Sequence, residues 1–465
     1  MVSGGAFRSG PMVVEDAALF TDLYELTMAS SYRREDTHES ATFSLFVRRL
    51  PPDRSFLVAA GLEDVLRFLE GYRFSARALA YLGALQRFEP GFLEYLGDLR
   101  FSGGVRAVPE GTLLFADEPL LEVTAPIVEA QLVESAVLNF CHLQTMLASK
   151  AARCVLAARG RPIIEFGLRR THGADAALKA VRCASIAGAE QTSNVLAALT
   201  YGVPPTGTMA HSYVCAFPHE IDAFRAFAAA FPSRAILLID TYDTVAAAHK
   251  AVQVARELQA RGERLAGVRL DSGDLVALSR AVRDILDAAG LGYVQIVASG
   301  NLDEFAIERC SIANAPIDAY GVGTRMNVSA DAPYLDMAYK LVRYGDRDVL
   351  KISPGKETWT GEKQIYRRLS EDGRSVADTL ALKHEPAPFG AIGLLRPVME
   401  NGRPLQPPEP LAAIRARCAA ALAALPDAMR RLTGAARYPV TASTELTERQ
   451  RALKAGAIAA EVAAG

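Results

Sequence analysis

Between residues 268 and 275 the chain reads VRLDSGDL, which packs Arg269, Asp271, Ser272 and Asp274 into six consecutive positions. At a strand-to-helix junction such a group has two uses. Asp or Ser can cap the helix while Arg269 pairs with a neighbouring acid. Alternatively, carboxylates accept hydrogen bonds from ribose hydroxyls or hold Mg²⁺ through water, and the arginine offers planar donors to an anion. Two glycine-rich turns follow, SGNLDE (299–304) and YGVGTRM (320–326). Glycine lets a backbone approach a phosphate closely, and N–H groups at such turns bind anions. One such turn is ordinary; two on adjacent strands beside DSGD point to a phosphorylated ligand. Upstream, EFGLRRTHG (165–173) sets Phe166 beside Arg169, Arg170 and His172. That is either a core phenylalanine with solvated arginines, or a stacking ring with cations for a flat, anionic substrate. GTMAHSYV (207–214) adds His211, one of only seven histidines, which is a filler at a strand end or a group that changes chemical state.

These residues need a frame that collects loops. Short apolar runs recur at PIIEFG (162–167), AILLID (235–240), AGVRLD (266–271), VQIVAS (294–299) and IDAYGVG (317–323), as strands buried on both faces do. Helix-like segments 243–262 and 273–290 lie between them, each opening near Asp, Ser or Thr and closing near Gly. Strands alternating with helices make parallel βαβ units. The polar clusters DTYD, DSGD, SGN and GVGT each end a strand. Barrels gather chemistry from several strand ends, whereas a doubly wound sheet concentrates it at one switch point, so a barrel is favoured.

The first 150 residues read differently. ATFSLFVRRLPP (41–52) is a strand with a Pro-Pro stop, 111–126 is β-rich, and 129–160 is a long helical region. FTDLYELTMASSYRRED (20–36) is an amphipathic helix with Asp22 and Tyr24 in its first turn. Residues 337–369 alternate like antiparallel strands with Gly turns, able to pack with the N-terminal domain; LQPPEP (405–410) is a linker, and 411–432 an amphipathic helix pair. The organisation expected is a flexible segment 1–14, an α+β domain at 15–155 completed by strands from 335–400, a barrel at 156–334, and a C-terminal helical segment at 405–465.

A formal net charge of −2 gives no general electrostatic case for nucleic acid or an anionic membrane. Any anionic ligand must be met by a few placed arginines and backbone amides. The six cysteines are scattered without a CxxC, as reduced thiols of a cytoplasmic protein are, and no metal-ligand cluster is apparent. No secretory signal and no run of about 18 apolar residues is present.

Taken in order, TDLYELTMA, EFGLRRTHG, GTMAHS, DTYDT, VRLDSGDL, ASGNLDE, YGVGT and MAYKLV resemble the nicotinate phosphoribosyltransferases, a type II phosphoribosyltransferase family, from residue 20 to about 400. The resemblance implies an α/β fold, an irregular TIM-like (β/α) barrel with an α+β open sandwich domain. It implies that nicotinate and 5-phosphoribosyl-1-pyrophosphate (PRPP) give nicotinate mononucleotide and pyrophosphate with Mg²⁺. ATP hydrolysis would be coupled through a phosphohistidine at His211, with Asp240 hydrogen-bonded to that imidazole. Tyr24 would stack on the pyridine ring from the neighbouring subunit of a homodimer, opposite Phe166. Arg169, Thr208 and Arg269 would surround nicotinate, and Ser193, where the nicotinamide-using relative carries aspartate, would admit the acid. Asp271 would bind the ribose hydroxyls beside Ser272. Gly300, Asn301, Gly323 and Thr324 would hold the 5-phosphate, with Arg48, Lys150, Arg153 and Lys340 as further phosphate or pyrophosphate contacts. The competing readings are a nicotinamide or quinolinate enzyme and a non-catalytic ligand-binding relative.

Overall fold

The computed structural model describes residues 16–353 and 357–464, with side chains to 459. The expected flexible segment 1–14 lies outside the described residues. The chain divides into two compact units, one Lys150–Pro333, the other comprising the described parts of Gly10–Ser149 and Tyr334–Gly465.

The Lys150–Pro333 unit holds six strands, β1 (Ile163–Glu165), β2 (Gln191–Thr192), β3 (Ile236–Leu238), β4 (Gly267–Leu270), β5 (Gln295–Ala298) and β6 (Ala319–Val322). Eight helices accompany them: α1 (Ala174–Ala187), α2 (Val195–Tyr201), α3 (His211–Cys215), α4 (Glu220–Ala230), α5 (Thr244–Gln259), α6 (Leu275–Ala288), α7 (Glu304–Ile312) and α8 (Thr324–Asn327). Every neighbouring strand pair is parallel, in the order β2-β1-β6-β5-β4-β3. The two end strands, β2 and β3, each keep one edge unpaired among the described strands. A single bridge between Thr192 and Pro205 lays the segment leading to GTMA along the free edge of β2. The sheet is thus a partial ring within a mixed α/β fold.

The short strands are apolar because helices cover them. Leu237, Leu238, Val268, Leu270 and Ile296 are fully buried in one cluster with Ala247, Ala251 and Leu258 of α5 and Val282 and Leu286 of α6. Small alanines on α5 let the helix sit close to the sheet. Helix starts are fixed by the side chains that follow the strands. Asn194, Asp243, Asp274 and Asp303 accept from backbone N–H groups in the first turns of α2, α5, α6 and α7. Each such cap stabilises by about 1 kcal/mol and sets the loop between strand and helix.

The other unit is built on a seven-stranded antiparallel sheet. Within it Ser40–Val47 lies between Pro119–Pro126 and Met337–Tyr344, with Leu45 facing Leu121 on one side and Tyr339 on the other. Phe43 and Tyr339 stack with ring centroids 4.8 Å apart. A four-stranded sheet of Lys363–Leu369, Ser375–Leu382, Ala391–Gly393 and Val440–Ala442 completes the β-structure beside the two-stranded Leu57–Val58 and Leu113–Leu114 pair. The helix pair expected over 411–432 is one helix, Leu411–Ala424, followed by a single 3₁₀ turn at Asp427–Met429. Pro426 explains the break, since it cannot donate to a continuing helix.

Candidate active site

The residue that follows each of five strands lines one cavity: Phe166 after β1, Ser193 after β2, Asp271 after β4, Ser299 after β5 and Gly323 after β6. The cavity measures about 490 Å³. Strands that stop at two to four residues hand every following position to a loop, so the rim is polar although the sheet is not.

Arg269 sits one residue before the end of β4 and donates from Nη1 to Thr208 Oγ1 at 2.5 Å. Its Nε is buried with no hydrogen-bond partner. Burial holds this guanidinium below the ordinary arginine value; the charges of Asp271 and Asp240 oppose that, and Arg169 reinforces it. A desolvated cation with an unused donor attracts an anion. Asp271 Oδ1 accepts from Ser299 Oγ at 2.5 Å. The DSGD and SGN loops touch so closely that a Cβ on Gly300 would come within 1.5 Å of Asp271 O. With φ at +89° as well, only glycine suits position 300. Asn301, also left-handed at φ +53°, accepts from Arg325 Nε at 3.1 Å. Gly321 makes room for the Phe166 ring, which an added Cβ would meet at 2.6 Å.

His211 begins α3. Its Nδ1 lies 3.1 Å from Thr241 Oγ1 and its Nε2 4.0 Å from Asp271 Oδ2. The hydrogen bond expected from the imidazole to Asp240 is not made. Asp240 Oδ2 instead accepts from Asp271 N–H at 3.1 Å and Ser272 Oγ at 2.5 Å, and its Oδ1 is buried without a partner. The reason is sheet geometry: a carboxylate at the end of β3 lies beside the end of its parallel neighbour β4 and caps the DSGD turn. The hydroxyl next along, Thr241, reaches the imidazole.

Three family descriptions match this chain. The nicotinate phosphoribosyltransferase N-terminal domain matches residues 19–142, the nicotinate phosphoribosyltransferase family residues 162–341, and the nicotinate phosphoribosyltransferase C-terminal domain residues 387–450. Nicotinate phosphoribosyltransferase pncB2 of Mycobacterium tuberculosis is 50% identical over 432 residues, covering 92% of each chain. The chain belongs to the nicotinate phosphoribosyltransferase family. The Bacillus subtilis nicotinate phosphoribosyltransferase is 40% identical over 382 residues, 80% of this chain and 77% of that one. The crystal structure of human nicotinic acid phosphoribosyltransferase superposes with a TM-score of 0.83 at 31% identity, covering 93% of this chain and 99% of that one.

Against the motifs of this family, the cavity gathers Phe166, Arg169, Arg170, Ser193, Thr208, Arg269, Asp271, Gly300, Asn301, Gly323 and Thr324. His172 is exposed and does not line it. Lys150 and Arg153 do not reach it either, contrary to expectation. The Lys150 side chain is 1% exposed and its Nζ bonds Glu304 and Asp331, while Arg153 Nε donates to Glu304 Oε1 at 2.9 Å. Helix Glu134–Ala158 buries that face, and each cation is held by carboxylates far along the chain. Arg48 and Lys340 belong to the other unit, where they pair with Asp336 at 3.1 Å and Glu134 at 3.6 Å. Tyr24 lies there too, in helix Leu23–Arg34, 51% exposed.

Sequence reasoning missed Glu165, Thr192, Thr241, Ser299 and Asn327. Ser299 and Thr241 stand inside quoted motifs and could have been read as strand-end hydroxyls. Glu165 and Asn327 gave no signal, because a buried acid in a strand and an amide in a one-turn helix look like surface residues in a bare sequence.

Proposed function

We infer that this chain joins nicotinate to PRPP, releasing nicotinate mononucleotide and pyrophosphate in NAD salvage. The observation carrying the reading is the cavity in which an aromatic ring, three arginines, a carboxylate and two glycine turns meet at successive strand ends. Its volume is in the range of small-molecule sites. Phe166 stacks on the pyridine ring, and Arg169 and Arg269 pair with its carboxylate, Thr208 steadying Arg269. Ser193 meets the acid with a hydroxyl, so no like charge opposes it. Asp271 binds the ribose hydroxyls beside Ser272, and backbone N–H groups around Gly300, Asn301, Gly323 and Thr324 take the 5-phosphate. The pyridine nitrogen is already a free nucleophile at neutral pH, so the protein aligns it with the anomeric carbon and stabilises the oxocarbenium-like transition state.

Mg²⁺ would be held by Asp240, whose buried Oδ1 has no hydrogen-bond partner, together with the neighbouring Asp271 carboxylate. When bound with the phosphates it neutralises the leaving pyrophosphate. His211 is the phosphate acceptor from ATP. Thr241 occupies Nδ1, which leaves Nε2 open toward the Asp271 side. The partial ring is an irregular TIM-like barrel with segment 203–210 along the edge of β2, and the other unit is an open sandwich domain. The enzyme is a cytoplasmic homodimer in which the exposed Tyr24 completes the partner's nicotinate site.

Labelled PRPP should give product with nicotinate and none with nicotinamide; a preference for the amide sinks the assignment. His211→Ala should abolish acid-labile labelling from γ-labelled ATP while retaining some transfer. Labelling that persists in that variant removes His211 from the ATP step.

A further inference from the structure

Glu165 is the last residue of β1, is 1% exposed, and makes no ion pair among the described residues. Its carboxylate is held by neutral donors alone. Oε1 accepts from Gly167 N–H at 2.5 Å and Asn327 Nδ2 at 2.8 Å; Oε2 accepts from Thr192 Oγ1 at 2.6 Å. Its backbone carbonyl takes Ser193 N–H at 2.9 Å.

Each donor has only one role open to it. Thr192 Oγ1 already accepts from Asn194 N–H at 3.0 Å, so its proton is directed at Glu165. The second amide proton of Asn327 goes to Thr171 Oγ1 at 3.0 Å, and Thr171 in turn donates to Gly167 O at 2.9 Å. Gly167 carries no side chain because a Cβ there would meet Asn327 Nδ2 at 2.2 Å. The network therefore has one polarity and one acceptor-only centre.

Burying a carboxylate without a cation costs stability that a better-packed apolar residue would not. What it supplies is registration. Gly167 belongs to the turn of Phe166 and Arg169, Thr192 precedes Ser193, and Asn327 closes the turn that starts at Gly323. We propose that Glu165 is the positioning residue of the acceptor-base pocket, fixing the stacking turn, the Ser193 turn and the α8 turn against one another. The proposal rests on the nicotinate reading above, and it names the group that sets the width of that pocket.

The test is steady-state kinetics of the full-length enzyme with nicotinate, nicotinamide and PRPP, beside melting temperatures. Thr192→Val and Asn327→Ala each remove one donor and should raise KM for nicotinate about tenfold, with kcat and KM for PRPP within about twofold. Their effects should combine to less than the product, because both act through one carboxylate. Thr192→Ser restores the hydroxyl and should return KM to the wild-type value. Glu165→Gln keeps the shape and should lower discrimination between acid and amide. An unchanged KM for nicotinate with a fallen melting temperature overturns the proposal, as does full multiplicativity in the double variant. If the wild-type enzyme uses only nicotinamide, the substrate reading fails, and the same KM series on the amide still decides the role of Glu165.

Discussion

In the antiparallel unit Arg367 donates from Nε and Nη2 to Asp378 and from Nη2 to Leu113 O, while Tyr438 adds its hydroxyl to the same carboxylate at 3.0 Å. In the parallel unit Arg269 makes one short bond to Thr208 and leaves Nε bare, and Asp240 leaves Oδ1 bare. The first charge also lies against an aromatic pair, its guanidinium 5.3 Å from the Phe115 ring centroid. The second faces a cavity. Both are desolvated, and desolvation is what makes either interaction strong. The difference lies in what completes the valence. Around Arg367 the protein does so itself; at the strand ends Arg269 and Asp240 each keep one atom without a protein partner.

The comparison breaks most visibly at Arg367. Arg367→Met leaves Asp378 buried without its cation and should cost about 3–5 kcal/mol in urea unfolding. Turnover per folded molecule should hold. Arg269→Met should do the reverse, lowering kcat/KM for nicotinate by about 100-fold while unfolding free energy stays within about 1 kcal/mol. A large stability loss at Arg269, or a large activity loss at Arg367 in folded protein, would erase the distinction.

A third case sits between them. Glu25 is buried beside Gln131 and Glu134, and burial first, then the Glu134 charge, push its carboxyl from 4.5 up to about 7. The folded chain holds this proton more tightly than the unfolded chain. Stability from it is present below pH 4.5 and falls as pH rises through about 7. Glu25→Gln should therefore stabilise by on the order of 1–3 kcal/mol at pH 8 and by almost nothing at pH 4, read from melting temperatures across pH. The smallest effect is expected at a cap. Asp243→Ala frees Ala246 N–H at the start of α5 and should cost about 1 kcal/mol.

The strands of the parallel unit were legible because two-faced burial leaves uninterrupted apolar runs, and the caps because Asp follows those runs. β2 was not, since two residues carry no periodicity. The motif loops were legible as chemistry, and most of their side chains meet in one cavity. Pairings were not. The family resemblance pairs Asp240 with His211, yet parallel neighbours turn Asp240 to the DSGD loop. Lys150 and Arg153 read as free cations because Glu304, which holds both, lies some 150 positions away. Such contacts are fixed by packing, and no local pattern announces them.

The six-stranded sheet ends at β2 and β3, each with one edge free of a strand partner among the described strands. Parting β4 from β5 breaks four paired positions, from Gln295 with Gly267 to Ala298 with Leu270. The free edge of β2 is met only by the Thr192–Pro205 bridge and the hydrogen bonds flanking it. The segment that carries Gly207, Thr208 and His211 is therefore tied to the sheet at one bridge rather than along a ladder.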